Sequence, residues 1–293
     1  MITSTPFQKF GFNFLEIETQ DEGGKLLNDL PEKGFAVIGT RYPQKKSLDF
    51  MQKTFSQLKN SNLVIVSGFA KGIDTWAHEL AIENGLKTIA ILGCGLNIDY
   101  PRENWALRKK ILDHGGMIIS PFESNQHPTP RSFLWRNELI PYFSKAVWVV
   151  EAAAISGTLN TAKHTSAQNR DLYATPCFPN DPMFEGNQKL LSQKQTEKYA
   201  VADSFYGAES LCKTWGSLQF KNDQKKKIDR KNLTRIQKWI LDLKFDYGVC
   251  RVQNLMNHAR TQGLTLGEFY FEYQKEVDEG KINEDLLGTV ELG

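Results

Sequence analysis

The fold class that these 293 residues predict is α/β, a doubly wound and mostly parallel sheet with a small second domain at the C-terminus. Three observations carry it. Short apolar runs recur at 63–66, 88–92, 117–120 and 146–150, and each has the length and continuity of a strand buried on both faces. Helical patterns lie between them, and strands alternating with helices imply βαβ units. The runs also end in small residues: Ser67-Gly68, Gly93-Cys94-Gly95 and Ser156-Gly157-Thr158. In open α/β sheets ligands bind outside the carboxyl ends of the strands, which is where these turns fall.

In chain order, residues 1–32 form an N-terminal extension, in which Phe7, Phe10, Phe12 and Phe14 suit a strand or an arm packed on the core. The main domain is expected over 33–215. Its most informative stretch is VIVSGFAKGID, 64–74. The strand stops at Ser67-Gly68, and a helix begins around Ile73 with Asp74 in its first turn. Glycines at 68 and 72 let backbone N–H groups approach an anion with no Cβ in the way. The following helix points its positive end at the same place. The spacing is not the dinucleotide pattern G-x-G-x-x-G, so a plain strand-to-helix turn stays open as the alternative.

A basic linker is expected at 216–231, where KNDQKKKIDRK (221–231) is either a solvated tether or a DNA contact. From 232 to 293 the periodicity is helical. Ile236, Trp239, Ile240 and Leu243 share one face, as do Val252, Leu255, Met256 and Ala259. Thr265 with Glu268 reads as a capping box. Short strands at 280–282 and 288–292 complete the outline of a winged helix. Its seven Lys/Arg against ten Asp/Glu give a net charge of −3, which opposes a phosphate-binding surface and favours a packing or protein-contact role.

Composition narrows the classes. The net charge is only +2, so any nucleic-acid site is a local groove rather than a globally basic surface. Cys94, Cys177, Cys212 and Cys250 are scattered, with no metal-ligand spacing, and read as reduced thiols; no metal or cofactor is expected. No signal peptide or apolar run of about 20 residues is present, so a cytoplasmic location without a membrane is expected.

The motifs SGFAKGID, TIAILGCGL, YP, FLWRNELI, VVEA, SGTLNTA and NRDLYATP, in this order from about Phe35 to about Leu191, resemble the DNA-processing protein A family, also called Smf. AVIGTRYP (36–43) is similar to its opening strand and turn. The resemblance implies a Rossmann-like domain that binds single-stranded DNA, forms a homodimer and loads RecA recombinase during natural transformation. It implies no catalytic residue. The family often carries a helical domain ahead of its Rossmann-like part, for which 1–32 is too short.

Carried onto this sequence, the resemblance puts Arg41 on a phosphate, as suits a planar guanidinium that stays charged. Gly68 and the 69–72 backbone, Gly72 included, form the anion nest. Lys71 adds a charge or is merely solvated. Arg131, Phe133, Arg136 and Asn137 lie in the stretch matching F-P-x-R-N-R. Phe133 either stacks on a base, which any base allows, or packs in the core; Arg136-Asn137 either contact DNA or brace the loop. Ser156, Gly157 and Thr158 complete the candidate site. The departures are Leu134 for proline, Glu138 for the second arginine, 140–144 for I-A-G-L-S, and Cys177 for the glycine of P-G.

Two other readings stay open. Nucleoside-monophosphate phosphoribohydrolases share the broad superfamily and use P-G-G-x-G-T-x-x-E, but ISGTLNTA lacks the double glycine and the carboxylate; Glu151 is the remaining candidate acid. A protein-interaction scaffold that has lost DNA binding is favoured by Glu138 and the acidic C-terminus.

Overall fold

In the computed structural model, residues 2–20, 25–59, 61–176, 181–192, 200–216, 233–240, 252–284 and 290–292 are described. Gly23-Gly24, Cys177, the basic stretch 221–231, Leu243, Cys250 and Gly288-Thr289 lie outside the described residues. Contacts divide the chain into two units, Met1–Lys221 and Asn222–Gly293.

The first unit is an α/β domain around one nine-stranded sheet. Its strands are β1 (Ile2–Lys9), β2 (Phe12–Thr19), β3 (Gly34–Ile38), β4 (Val64–Ser67), β5 (Lys87–Ile91), β6 (Met117–Ser120), β7 (Ala146–Val149), β8 (Asp171–Ala174) and β9 (Asp203–Ser204). Their spatial order is β1-β2-β6-β5-β4-β3-β7-β8-β9. The seven strands from β6 to β9 in that order pair in parallel, while β2 joins β6, and β1 joins β2, antiparallel. The sheet is therefore Rossmann-like and mostly parallel. Four of the central strands read GFAVI, VIVS, MIIS and AVWV, with every residue buried, because helices cover both faces.

Of the two forms expected for the extension, a strand or an arm packed on the core, its described residues take the first, with β1 and β2 joining the sheet. Phe12, Leu15 and Ile17 of β2 are buried in the core, and Arg108 donates two hydrogen bonds to the Glu18 carboxylate. Phe7 and Phe10 pack edge-on against Tyr142. A helix follows at α1 (Lys25–Lys33).

Strand order decides where a ligand can sit. The chain winds outward from β3 through β4, β5 and β6, then crosses to the other side of β3 for β7 and β8. Loops leaving β3 and β7 thus run in opposite directions and leave a crevice between them. Helices α2 (Lys45–Leu58), α3 (Ile73–Glu83), α4 (Trp105–Asp113), α5 (Pro130–Arg136), α6 (Leu139–Tyr142) and α7 (Gly157–Ala167) connect these strands, and α8 (Glu185–Leu191) and α9 (Cys212–Trp215) follow β8 and β9. On one face Phe35, Trp148 and Phe205 stack, with Trp148 and Phe205 ring centroids 4.2 Å apart.

The second unit has its own core of Ile236, Trp239, Ile240, Leu255, Phe269, Tyr273, Ile282 and Val290. Its helices are α10 (residues 235–240), α11 (Val252–Thr261) and α12 (Leu266–Asp278), and β10 (Ile282–Glu284) pairs antiparallel with β11 (Val290–Leu292). The Thr265–Glu268 capping box is present as expected. No described helix is long and apolar enough to cross a membrane.

Candidate nucleic-acid interface

At the switch point the turn after β3, the start of α3, helix α5 and the N-terminus of α7 enclose a cleft of about 460 Å³. A second hollow of about 180 Å³ adjoins it and shares Arg41, Tyr42, Ala70 and Phe133.

Each wall has a local cause. Helix α7 begins at Gly157 because Ser156 takes the extended conformation of an N-cap. The first N–H groups of a helix have no intrahelical partner. Ser156 Oγ makes no cap bond and is buried without a hydrogen-bond partner. A Cβ on Gly157 would meet nothing within 4 Å, so this helix end is open. The loop ahead of it is pinned by Asn187. That fully buried side chain donates to the carbonyls of Val149, Val150 and Thr175 and accepts from the Ala152 N–H. Asn137, 8% exposed, donates weakly to Gly157 O and to Asn160 Oδ1, tying α5 to the start of α7.

Helix α5 starts at a Thr129–Ser132 capping box with Pro130 in its first turn. This sets its phase: Ser132 turns inward and donates to Gly93 O (2.6 Å), while Phe133 lies half-buried between the two hollows. Gly93 has no room for a side chain, since its Cβ would stand 2.5 Å from the Phe133 ring. Tyr100, 41% exposed, lies 5.5 Å from Phe133 at an interplanar angle of 44°. The guanidinium carbons of Arg41 and Arg136 each lie 6.0 Å from the same ring, at the outer limit of a cation–π contact. Arg41 and Tyr42 are exposed on the rim.

The first glycine turn differs from expectation. The 68–72 backbone is not an open nest, because Asp74 occupies it. Asp74 Oδ2 accepts the Ala70 N–H at 3.3 Å and lies against Gly68, where an added Cβ would stand 2.8 Å from it. Burial pushes Asp74 up to about 6, opposed by the Arg136 charge and the Ala70 N–H bond. Gly72, at φ +78°, meets the neighbouring turn instead of a ligand: its Cβ would lie 2.5 Å from Thr40 O. Phe69 takes φ 60°, which is unusual for a side chain of its size.

The remaining candidates divide. Arg136 is 5% exposed and donates to the carbonyls of Gly68 and Ile91. It braces the turn from behind while lining the cleft, and burial lowers its pKa against the opposing pull of Asp74. Lys71 is exposed at the smaller hollow and paired with Glu103. Arg131 is exposed and lies 4.4 Å over the Trp135 ring, outside the lining of both hollows. Ser156, Gly157 and Thr158 line the cleft together with Arg41, Phe133 and Asn137. Glu138 does not line it; its carboxylate lies 3.8 Å from His164 on α7.

Glu151 also points away from the cleft. Fully buried, it accepts from Ser47 Oγ and from the Gln44 N–H, capping the start of α2. Burial raises its pKa, against the Ser47 bond. His78 is buried with Nδ1 2.7 Å from Thr88 Oγ1, and burial lowers it to about 3. Among the described residues no group of His, Cys, Asp and Glu is placed to hold a metal. Sequence reasoning missed Tyr42, Tyr100 and Asp74 as parts of the site. The first two stood in the quoted motifs TRYP and YP, and Asp74 stood in SGFAKGID.

Comparison with known proteins bears on what this cleft is for. The family model described as DNA recombination-mediator protein A matches residues 24–207. The DNA processing protein DprA of Streptococcus pneumoniae is 38% identical over 159 residues, covering 54% of this chain and 55% of its own. Protein Smf of Escherichia coli is 36% identical over 182 residues, covering 60% and 49%. The chain thus spans about half the length of the curated relatives it matches. Among solved structures, DNA processing protein A from Streptococcus pneumoniae superposes with a TM-score of 0.59 at 30% identity, covering 69% and 66% of the two chains. DNA processing protein A from Helicobacter pylori, solved to explain its single-stranded DNA binding mode, gives 0.60 at 26% identity, covering 73% and 95%.

Proposed function

Because this chain belongs to the DNA recombination-mediator protein A family, we propose that it is a non-enzymatic protein that holds single-stranded DNA in the switch-point cleft. One observation carries the reading. An open helix N-terminus and an exposed arginine stand beside half-buried Phe133, with exposed Tyr100 against it in the adjoining hollow, so phosphate donors and a stacking face share one groove. The backbone would lie against Arg41 and the Ser156–Gly157–Thr158 N–H groups, with a base on Phe133 or Tyr100. Arg136 and Asn137 support this surface, and Lys71 and Arg131 flank it. The Helicobacter pylori relative's single-strand binding supports the ligand class.

The same family reading extends to a cytoplasmic homodimer that helps RecA assemble on the strand. It also takes residues 33–215 as the DNA-binding domain and 232–293 as a winged-helix-like domain that contacts protein rather than DNA. The phosphoribohydrolase alternative loses its one acid, since the Glu151 carboxylate is engaged by α2. The scaffold alternative loses part of its ground, since Glu138 faces His164.

Titration with oligothymidylate and a matched duplex at several salt concentrations tests the proposal. Single strands should bind tighter, with log affinity falling against log salt at a slope near −0.7 per phosphate neutralised. No binding to oligothymidylate at low salt would refute it. Release of free base from AMP would refute the non-enzymatic part.

A further inference from the structure

Among the described side chains lining the cleft, Asp74 is the only acidic one. It is 6% exposed, and the turn after β4 is wrapped around it. Gly68 is required there, because a Cβ would stand 2.8 Å from Asp74 Oδ2 and against the Arg136 guanidinium. The Ala70 N–H and the Arg136 guanidinium beside Gly68 are donors that would suit a ligand phosphate. Here the Ala70 N–H is bonded to the chain's own anion, which lies next to that guanidinium.

The consequence differs between kinds of phosphate. A phosphomonoester carries about two negative charges and three terminal oxygens, and binds best deep in such a nest. A phosphodiester within a strand carries a single charge, and two of its oxygens continue into the chain. It can lie across the open end of α7 and Arg41 without entering the nest.

We propose that Asp74 is a specificity-determining residue: its built-in carboxylate fills the nest, so the cleft accepts chain-internal phosphodiesters and rejects phosphomonoesters, both free nucleotides and 5′-phosphorylated ends. The inference rests on the single-strand reading for its natural ligand, but its effect on a small dianion is separable from that reading.

The test uses the full chain, its Asp74→Asn and Asp74→Ser variants, and sulfate and AMP as probes, read by calorimetry and thermal shift. At neutral pH the unaltered chain should bind both weakly. Asp74→Ser removes charge and bulk and should bind both at least about tenfold more tightly; Asp74→Asn removes charge alone and should gain less. A 5′-phosphate should not improve oligothymidylate binding in the unaltered chain and should improve it in Asp74→Ser. Equal sulfate and AMP affinities in all three proteins would overturn the proposal.

Should both variants fail to fold, pH provides the same test on the unaltered chain. Asp74 protonates near 6, so sulfate, still a dianion, should bind more tightly below that pH. The groups facing it stay constant there. Arg136, a guanidinium, remains charged, burial lowers His78 on the same helix to about 3, the Cys94 thiol is pushed up to about 11, and Lys71 is paired with Glu103 at the rim. Sulfate affinity that does not change across pH 6 would overturn the proposal. Failure of the unaltered chain to bind oligothymidylate would instead refute the single-strand reading and leave the sulfate result to judge Asp74.

Discussion

Two strand-end turns of one sheet look alike in sequence and differ in what their N–H groups face. Ser67-Gly68 at the end of β4 and Ser156-Gly157 at the start of α7 each place a serine and a glycine in the passage from a buried strand to a helix. After β4 the helix supplies Asp74 in its first turn, and that carboxylate takes up the donors of its own turn. After β7 the helix begins GTLNTA, with no acid in its first turn, and its end opens on the cleft. A Gly-rich turn is therefore a phosphate site only when no side chain of the following helix folds back into it.

Supplying the second turn with the feature that closes the first breaks this difference most directly. Gly157→Asp places a carboxylate at the first position of α7, where the helix dipole welcomes it and open space accommodates it. The fold should be unharmed, with stability unchanged or raised by roughly 0.3–1 kcal/mol. Single-strand affinity should fall by about 100-fold, because an anion facing a phosphate costs several kcal/mol. Unchanged affinity would mean that the strand does not cross this helix end.

Phe133→Ala comes next. Loss of a stacked base should cost about 1–3 kcal/mol and leave the salt slope unchanged, since stacking releases no counterion. A lower melting temperature with intact binding would show that the ring serves only the packing over Gly93. Arg41→Ala should have a smaller effect, about tenfold, but it should flatten the salt slope by roughly 0.7, as one phosphate contact is lost. The two variants thus separate the aromatic and ionic walls of one cleft.

Strands β4, β6 and β7 were legible because a strand buried on both faces must be continuously apolar, so VIVS, MIIS and AVWV mark themselves, whereas β3 was placed by the resemblance of AVIGTRYP to a family motif. The attachment of β1 and β2 to β6 was not legible, because pairing across about a hundred residues leaves no local trace. Within the site, the positions of Arg41, Phe133 and the Ser156 turn could be read from motif order. The closure of the first nest could not, although Asp74 was visible in the helix's first turn. Whether an acid there faces solvent or folds back depends on φ values such as that of Phe69 and on Arg136, a residue distant in sequence, lying behind Gly68. Arg136 could be read in the sequence either as a DNA contact or as a brace, and its hydrogen bonds to the Gly68 and Ile91 carbonyls are those of a brace.

A chain ending at Lys231 probes a wider contrast, between the cleft and the acidic C-terminal unit. With a net charge of −3 over 232–293, that unit has little to offer a phosphate backbone. The shortened chain should keep single-strand affinity within about threefold, with any larger effect appearing in stability or self-association. A gel shift by the isolated 232–293 fragment would overturn the charge argument.

Glu138→Arg should have the smallest effect, and it is informative for that reason. The substitution restores the charge that the resembling motif carries, so from sequence it tightens binding if position 138 faces the DNA and leaves it unchanged if Glu138 pairs internally. The structure predicts the second outcome. Glu138 caps the start of α6 outside both hollows, its carboxylate is turned toward His164, and its backbone carbonyl accepts from Gln168 Nε2. An arginine there would meet α7 from the side and lie away from the α7 end that faces the cleft. Affinity should therefore stay within about twofold, with only the modest stability change of a surface substitution. A clear gain in affinity, accompanied by a steeper salt slope, would mean that the strand runs past Glu138, and the path drawn here from Arg41 to Gly157 would have to be extended across α6.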